Sequence, residues 1–322
     1  MAKSDIGYYN GLVASAYKTL IPRDKMLRLV ELDPDEILRT LKEYGYTGDE
    51  QSPKEYQALI EREKQKLLRF VADGEFGSQA DAFCLLKSDY HNAECTLRER
   101  FSGDLGNVYG PIGKCSLEQL KSAVLDRNAD VTDGIKKSMK HGAELYASGR
   151  ASGSAVTTLF MRNYYAELLR YVKSPRLRKI IRFEIDAKNC SVALRSNTFA
   201  VATSMILGGG TLTDDDLEAL YRRDEHEITL RFAYTPLYDY IRTAFEEKAS
   251  GKPMLAFERA ADDYALNVMD DVRYETSGIT PIIMYYLYKT AEMKNIRTIM
   301  SLRLNGASAE EITARLRKGY VG

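Results

Sequence analysis

The sequence predicts an all-α fold made of three similar helical units. No segment shows a convincing alternation of apolar and polar residues, and all eight prolines stand where a helix start or a connection can hold them. In addition, one long helical pattern occurs three times along the chain, together with the helix start that follows it. Because internal repeats are a signature of bodies built from related units, we expect three such units here.

The clearest copy of this pattern extends from Thr280 to Gly306. Thr280 is a good N-cap residue, Pro281 suits the first helical position, and Gly306 suits a helix end. Apolar residues at helical spacing predict one apolar stripe, formed by Ile282, Ile283, Tyr286, Leu287, Ile296, Ile299 and Met300. We therefore expect a helix of about 24 residues, roughly 36 Å long.

Each copy carries an acidic residue three positions before an asparagine, followed by an arginine. The three sets are Asp89, Asn92 and Arg98; Asp186, Asn189 and Arg195; and Glu292, Asn295 and Arg303. The second copy opens with Ser174 and Pro175, whereas the first opens with Ser78 and has no proline. The acid and the asparagine lie on nearly one helix face, because residues three apart in a helix are neighbours.

A glycine and a capping box follow each copy. The boxes begin at Ser116, Thr213 and Ser308, and a further box begins at Asp33. Together with the glycine-containing loops at 103–113 and 208–210, this pattern predicts three units, at residues 1–107, 108–207 and 208–322. The distance from asparagine to box is 24 residues in the first two copies and 13 in the third.

Composition narrows the classes of function. The chain has 46 basic and 46 acidic residues, so its net charge of zero argues against a bulk electrostatic grip on nucleic acid. Its four cysteines form no CxxC pair, which favours reduced thiols in a cytoplasmic protein. We expect no signal peptide and no bilayer span, since no apolar run approaches the roughly 20 residues that a span requires.

Motifs for catalysis, metals or cofactors are weak in this sequence. His91 and Cys95 can share a helix face, but no second pair of ligands accompanies them. The glycine-rich segments 149–153 and 208–210 lack the Lys-Ser/Thr of a phosphate-binding P-loop. We therefore expect no catalytic residue, no metal site and no cofactor.

Two interpretations of the repeated acids remain open at this stage. Asp89, Asp186 and Glu292 can line one axial cavity and meet a partner there, or each can hold its own unit together through local hydrogen bonds. The second interpretation is favoured. Catalysis is less favoured than either, because catalytic acids usually differ in pKa whereas these acids repeat alike.

Several segments resemble the C subunit of the rotary V-type/A-type ATPases, which is called the d subunit in the eukaryotic vacuolar enzymes. The resemblance is strongest near the end of the chain, in Glu292–Met300, Leu304–Gly306, Glu311–Leu316 and Tyr320-Val321. It extends to Tyr8-Tyr9, to Asp89-x-x-Asn92 and to Gly278–Pro281. Tyr90-His91 departs from the residues that the family usually has before this asparagine.

This resemblance implies a non-catalytic rotor subunit. In that family the protein is a funnel of three similar helical units with pseudo-threefold symmetry, present in one copy per complex. One side receives the D and F subunits of the central stalk, and the other docks on the membrane rotor ring of proteolipid subunits. The protein would then couple ATP hydrolysis or synthesis to H⁺ or Na⁺ transport, as a cytoplasmic subunit held peripherally at the membrane.

The alternative function is a soluble helical-repeat adaptor that binds peptides or helical partners. An open solenoid would add further units and polar terminal caps, whereas three units favour a closed body. An all-α enzyme is a third class, which would require a cleft with clustered acids of perturbed pKa.

Overall fold

The computed structural model describes residues 3–103, 106, 108–124, 129–251 and 256–321, with side chains from Tyr8 onward. In this part of the chain it contains α-helices, a 3₁₀ helix at Pro53–Glu55 and no β-strand, which confirms the all-α prediction. The helices are α1 Lys3–Tyr17, α2 Arg23–Glu31, α3 Pro34–Glu43, α4 Tyr56–Asp73, α5 Ser78–Ser102, α6 Leu117–Ala123, α7 Asp133–Ala147, α8 Gly153–Tyr171, α9 Pro175–Arg195, α10 Phe199–Met205, α11 Asp214–Arg222, α12 Glu225–Phe232, α13 Tyr238–Ala249, α14 Ala256–Asp270, α15 Thr280–Leu304 and α16 Ala309–Thr313.

The described residues group into two compact units. The terminal unit comprises those within Met1–Leu85, Gly110–Lys114 and Met269–Gly322, and the central unit comprises those within Leu86–Tyr109 and Cys115–Val268. The terminal unit therefore contains both ends of the chain. Of the three repeated helices, α15 belongs to the terminal unit, α9 to the central unit, and α5 contributes residues to each.

Helix α15 is the core of the terminal unit. It packs against α1, α2, α3, α4 and α16. Its buried residues include Met284, Tyr285, Tyr288 and Lys289 as well as Ile282 and Ile283, whereas Tyr286 and Leu287 are only half-buried. The prediction of one apolar stripe is wrong for this helix, because neighbours surround it and bury most of its circumference.

The start of α15 also differs from the prediction. Thr280 is the first helical residue rather than the N-cap, and its hydroxyl donates to the Glu275 carboxylate over 2.7 Å. The N-cap is Ile279, which follows the turn at Gly278. The other end agrees with the prediction, since Gly306 lies just past the helix with a φ of 77°.

In the central unit, α9 packs against α8, α10 and α11, and α7 pairs with α8. One hydrophobic cluster joins α9 to α11, α12, α13 and α14. Its larger buried members are Phe183, Leu194, Leu217, Leu220, Ile228, Phe232, Leu237, Ile241 and Phe257.

Most of the helix starts lie where the sequence places them. The predicted capping boxes at Asp33, Ser116, Thr213 and Ser308 are all present, and Ser174 caps α9 with Pro175 at the first position. The Thr235-Pro236 pair also predicts a helix start, but Thr235 does not cap α13, because its hydroxyl donates to the Phe232 carbonyl at the end of the preceding helix. Helix α2 gives no start signal in the sequence, since its N-cap is a proline, Pro22.

Candidate functional site

The acid and the asparagine of every repeat are buried. Their side chains lie on α5, α9 and α15, and the residues Asp89, Asn92, Asp186, Asn189, Glu292 and Asn295 are all at most 4% exposed. Burial of a carboxylate is unfavourable unless hydrogen bonds or an opposite charge compensate for it. The partners of these carboxylates therefore indicate what the motif does.

In the second copy the partner is the backbone before α11. Asp186 accepts hydrogen bonds from the Thr211 N–H at 2.8 Å, from the Thr211 hydroxyl at 2.6 Å and from the Leu212 N–H at 3.2 Å. One turn along α9, the Asn189 side chain donates to the Leu207 carbonyl and accepts from the Leu207 N–H, both at 2.9 Å. The pair thus holds the segment from Leu207 to Leu212 against α9.

The first copy has the same kind of contact. Asp89 accepts a hydrogen bond from the N–H of Cys115 at 2.9 Å. Cys115 directly precedes Ser116, the N-cap of α6, as Leu212 directly precedes Thr213, the N-cap of α11. In both copies the acid therefore fixes the backbone at the point where the next helix begins.

The third copy is built differently. Glu292 accepts hydrogen bonds from the Ile21 N–H at 2.6 Å, the Tyr46 hydroxyl at 2.6 Å and the Lys289 ammonium at 2.7 Å. Asn295 exchanges two hydrogen bonds with the backbone of Arg317, at 2.8 and 3.1 Å. The acid is thus bound to the beginning of the chain, although the sequence places a capping box at Ser308 just beyond its own helix.

Lys289 is the centre of a buried ionic cluster. Its ammonium lies 2.7 Å from Glu292 and 2.9 Å from Glu63, and 4.6 Å from the centre of the Tyr46 ring. Burial lowers the pKa of Lys289, but the two carboxylates outweigh burial and raise its pKa above the ordinary value. Lys289 is therefore charged at neutral pH, and it balances the buried negative charge of Glu292.

Asp186, the acid of the second copy, has different electrostatic surroundings. Burial raises the pKa of Asp186, while the hydrogen bonds from Thr211 and Leu212 oppose that rise. Neutral donors supply the compensation here, whereas a cation supplies it at Glu292. The three acids thus repeat in position but not in surroundings.

The arginines of the motif do not form a common site. Arg98 binds Glu94 on its own helix and donates to Thr157 at 2.8 Å. Arg195 is exposed, and Arg303 donates to the Val30 carbonyl. The offset from the asparagine is six residues for Arg98 and Arg195 and eight for Arg303, so it distinguishes only the third arginine.

Gly210 gives a direct test of the Asp186 contact. A Cβ added at this position would collide with the Asp186 carboxylate, whereas a Cβ at Gly208 would meet no atom within 4 Å. We expect Gly210→Ala to lower the free energy of unfolding by about 2–3 kcal/mol, measured by urea denaturation. The matched control Gly208→Ala should change it by less than about 0.5 kcal/mol. Equal effects of the two substitutions would contradict the contact.

Buried tyrosines predict a loss of stability at alkaline pH. Burial, with a nearby carboxylate, raises the pKa values of Tyr46, Tyr90 and Tyr165 above the ordinary value of 10.0. A raised pKa in the folded state contributes stability that is present below pH 10 and is lost as the pH rises further. We expect the melting temperature to fall steadily above pH 10, and the part of the tyrosinate absorbance beyond that of exposed tyrosines such as Tyr234 and Tyr274 to rise together with unfolding. Ionisation of these tyrosines in a protein that stays folded would contradict this prediction.

Sequence reasoning missed a further buried acid in the central unit. Glu167 accepts hydrogen bonds from the Tyr90 hydroxyl at 2.7 Å and from the Thr132 hydroxyl at 2.8 Å, and it is 4% exposed. No repeat or motif marks Glu167. In contrast, Lys289 and Glu292 stand three apart on one helix, a spacing that allows an ion pair to be predicted.

His91 and Cys95, the weak metal-ligand candidates of the sequence, lie close together on α5. The His91 Nε2 lies 3.8 Å from the Cys95 sulfur, so these residues do share a helix face. No group of three or more His, Cys, Asp or Glu side chains suited to a metal ion occurs among the residues that the structure describes. None of the described helices is both long enough and apolar enough to span a bilayer.

Comparison with known proteins identifies the family. The chain matches the family model described as ATP synthase (C/AC39) subunit over residues 9–315. The C subunit of the V-type sodium ATPase of Enterococcus hirae is 21% identical, and the alignment covers 97% of this chain and 98% of that protein. The C subunit of the A-type ATP synthase of Haloquadratum walsbyi is 23% identical, with 95% and 96% covered.

A shorter match is closer in sequence. The C subunit of the A-type ATP synthase of Halobacterium salinarum is 30% identical over 138 residues, which are 41% of this chain and 39% of that protein. The family match, by contrast, covers all three repeated helices and the capping boxes between them. Because it extends over nearly the whole sequence, the chain belongs to the ATP synthase (C/AC39) subunit family.

Proposed function

We propose that this protein is a non-catalytic central-stalk subunit of a V/A-type rotary ATPase. In this role it links the shaft formed by the D and F subunits to the membrane ring of proteolipid subunits. Rotation of the shaft then drives H⁺ or Na⁺ transport through the ring, or rotation of the ring drives ATP synthesis. The protein works on the cytoplasmic side as a peripheral subunit, in one copy per complex.

One observation carries this proposal. The family match covers residues 9–315, and relatives named as the C subunits of V-type and A-type enzymes align along nearly their full length. A likeness of this extent concerns a whole subunit rather than one shared domain. In addition, the repeated acids accept hydrogen bonds from within the protein. Such contacts fit a structural role better than an active site.

We further propose that the repeated acids maintain the fold and do not contact the shaft. Asp89, Asp186 and Glu292 are buried, and each accepts a hydrogen bond from a backbone N–H at the start of a helix. Such bonds are lost when the carboxylate is replaced, and the buried N–H is then left without a partner. On this proposal the surfaces for the shaft and for the ring consist of other residues.

We also propose that the chain forms three related units arranged as a funnel. They comprise residues 1–107, 108–207 and 208–322. One type of contact supports three related units: on each of α5, α9 and α15, an acidic side chain accepts a hydrogen bond from a backbone N–H. A hollow body of this kind would hold the end of the shaft on its wide side. The opposite side would rest on the ring.

Removal of the protein from its enzyme tests the coupling role. Membranes of the source organism that lack this protein should retain ATP hydrolysis by the soluble head but lose ATP-driven ion transport. Adding back the purified protein should restore transport. Full ion transport in its absence would overturn the proposal.

Recovery of the tagged protein from the same source separates the two functions considered for this sequence. A central-stalk subunit should be recovered with the other ATPase subunits. Recovery with unrelated peptides or helical proteins and without ATPase subunits would favour the helical-repeat adaptor instead.

A further inference from the structure

We propose that the repeat is cyclic: the third repeated helix, α15, is completed by the first part of the chain rather than by α16. On this proposal the segment from Leu20 through α2 takes the place that α6 takes after α5 and α11 takes after α9. The N-terminal and C-terminal ends of the chain then form one joint in the terminal unit.

The hydrogen bonds accepted by the three acids support this cyclic arrangement. In every copy the acid accepts a hydrogen bond from the N–H of the residue directly before a helix N-cap. The three donors are Cys115 before Ser116 at 2.9 Å, Leu212 before Thr213 at 3.2 Å, and Ile21 before Pro22 at 2.6 Å. By this criterion α2 is the counterpart of α6 and α11, although Ile21 and Glu292 are 271 residues apart in sequence.

The hydrogen bonds of the asparagines on α9 and α15 also support the cyclic arrangement. Asn189 exchanges two hydrogen bonds with Leu207, and Asn295 exchanges two with Arg317. After α9, the residue bound to the asparagine and the residues bound to the acid belong to one continuous segment, 207–212. After α15 they belong to opposite ends of the chain.

A hydrogen bond joins the N-terminal and C-terminal segments of the terminal unit. In the second copy the corresponding residues belong to one continuous backbone segment. The Arg23 N–H donates to the Tyr320 carbonyl at 2.8 Å. We call this region the terminal joint and define it as Ile21, Arg23, Glu292, Asn295, Arg317 and Tyr320. A cavity of about 30 Å³ lies among these residues, with room for an ordered water.

The terminal joint explains an irregularity in the sequence. The box at Ser308 follows Asn295 by 13 residues, whereas the boxes at Ser116 and Thr213 follow their asparagines by 24. The α16 box is present, but the donors to Glu292 come from Ile21, Tyr46 and Lys289. α16 then corresponds to α10, since each lies between a repeated helix and the residue that binds its asparagine, and the counterpart of α6 and α11 is α2.

Hydrogen exchange in the full chain tests this assignment. Glu292→Gln should speed amide exchange in residues 19–31 by about tenfold, while residues 306–316 change by less than about twofold. The matched variant Asp186→Asn should have its largest effect on residues 207–222. Faster exchange in 306–316, with 19–31 unchanged, would overturn the proposal.

A disulfide across the terminal joint gives a test that does not depend on weakening the protein. A Cβ at Gly319 would lie 4.0 Å from the Arg23 Cβ, within the range that a disulfide requires. Arg23→Cys combined with Gly319→Cys should form an intramolecular bond under mild oxidation and raise the melting temperature by roughly 5–10 °C. The pair Lys25→Cys and Gly319→Cys is the control, and it should remain reduced.

The cross-link also tests whether Glu292 acts through the joint. The loss of melting temperature caused by Glu292→Gln should be smaller in the oxidised double-cysteine protein than in its reduced form, because a neutral amide oxygen binds the Ile21 N–H more weakly and the disulfide then holds that segment in place. A folded double-cysteine protein that does not cross-link, or an equal loss in both forms, would overturn the proposal.

Discussion

Replacing Glu292 by alanine is expected to lower the free energy of unfolding by about 3–5 kcal/mol, because removal of one partner from a buried ion pair leaves the other charge uncompensated. Lys289 is 2% exposed and would keep only Glu63 as a close carboxylate. The Ile21 N–H and the Tyr46 hydroxyl would also lose their acceptor. Urea denaturation of the purified protein measures the effect.

Two variants control this prediction. Glu43→Ala removes an exposed acid at the end of α3 and should change the free energy of unfolding by less than about 0.5 kcal/mol. Glu292→Gln keeps an acceptor for Ile21 but removes the charge, so its cost should lie between the other two. Equal stability of Glu292→Ala and Glu43→Ala would contradict the buried ion pair.

The second large effect is expected at Asp186. Asp186→Ala removes the acceptor of three hydrogen bonds from Thr211 and Leu212, and it should lower the free energy of unfolding by about 3 kcal/mol. Asp186→Asn keeps one side-chain oxygen and should cost less. Asp49→Ala, at an exposed loop position, is the control and should be nearly neutral.

The Asp186 variants also separate the two interpretations of the repeated acids. If the acid is structural, charge reversal by Asp186→Lys should lower the melting temperature of the isolated protein. If the acid instead faces the shaft, the same change should weaken binding to the purified D and F proteins and leave the melting temperature unchanged. The second outcome would contradict the structural role.

Local features of this fold could be predicted from the sequence. The all-α class and the capping boxes at Asp33, Ser116, Thr213 and Ser308 depend on residues within one helical turn of each other. The shared helix face of the acid and the asparagine is predictable for the same reason, because their spacing along one helix fixes it.

Contacts between distant segments could not be predicted in this way. No pattern in the sequence links Glu292 to Ile21 or to Tyr46, since these pairs form only when α2 and the loop after α3 pack on α15. The sequence misplaces the start of α15 because Thr280 is a good cap in isolation, but its hydroxyl binds Glu275 instead. The apolar pattern also underestimates the burial of α15, because the number of neighbours around this helix is a property of the whole unit.

The binding of Ile21 to Glu292 also has a consequence for synthesis on the ribosome. The first helices of the terminal unit emerge early, yet the carboxylate that anchors them is made 271 residues later. At ordinary rates of translation this is a delay of roughly 15 to 50 seconds. During that time the N–H of Ile21 lacks its native acceptor, so a chaperone that binds this part of the nascent chain would act before Glu292 is made.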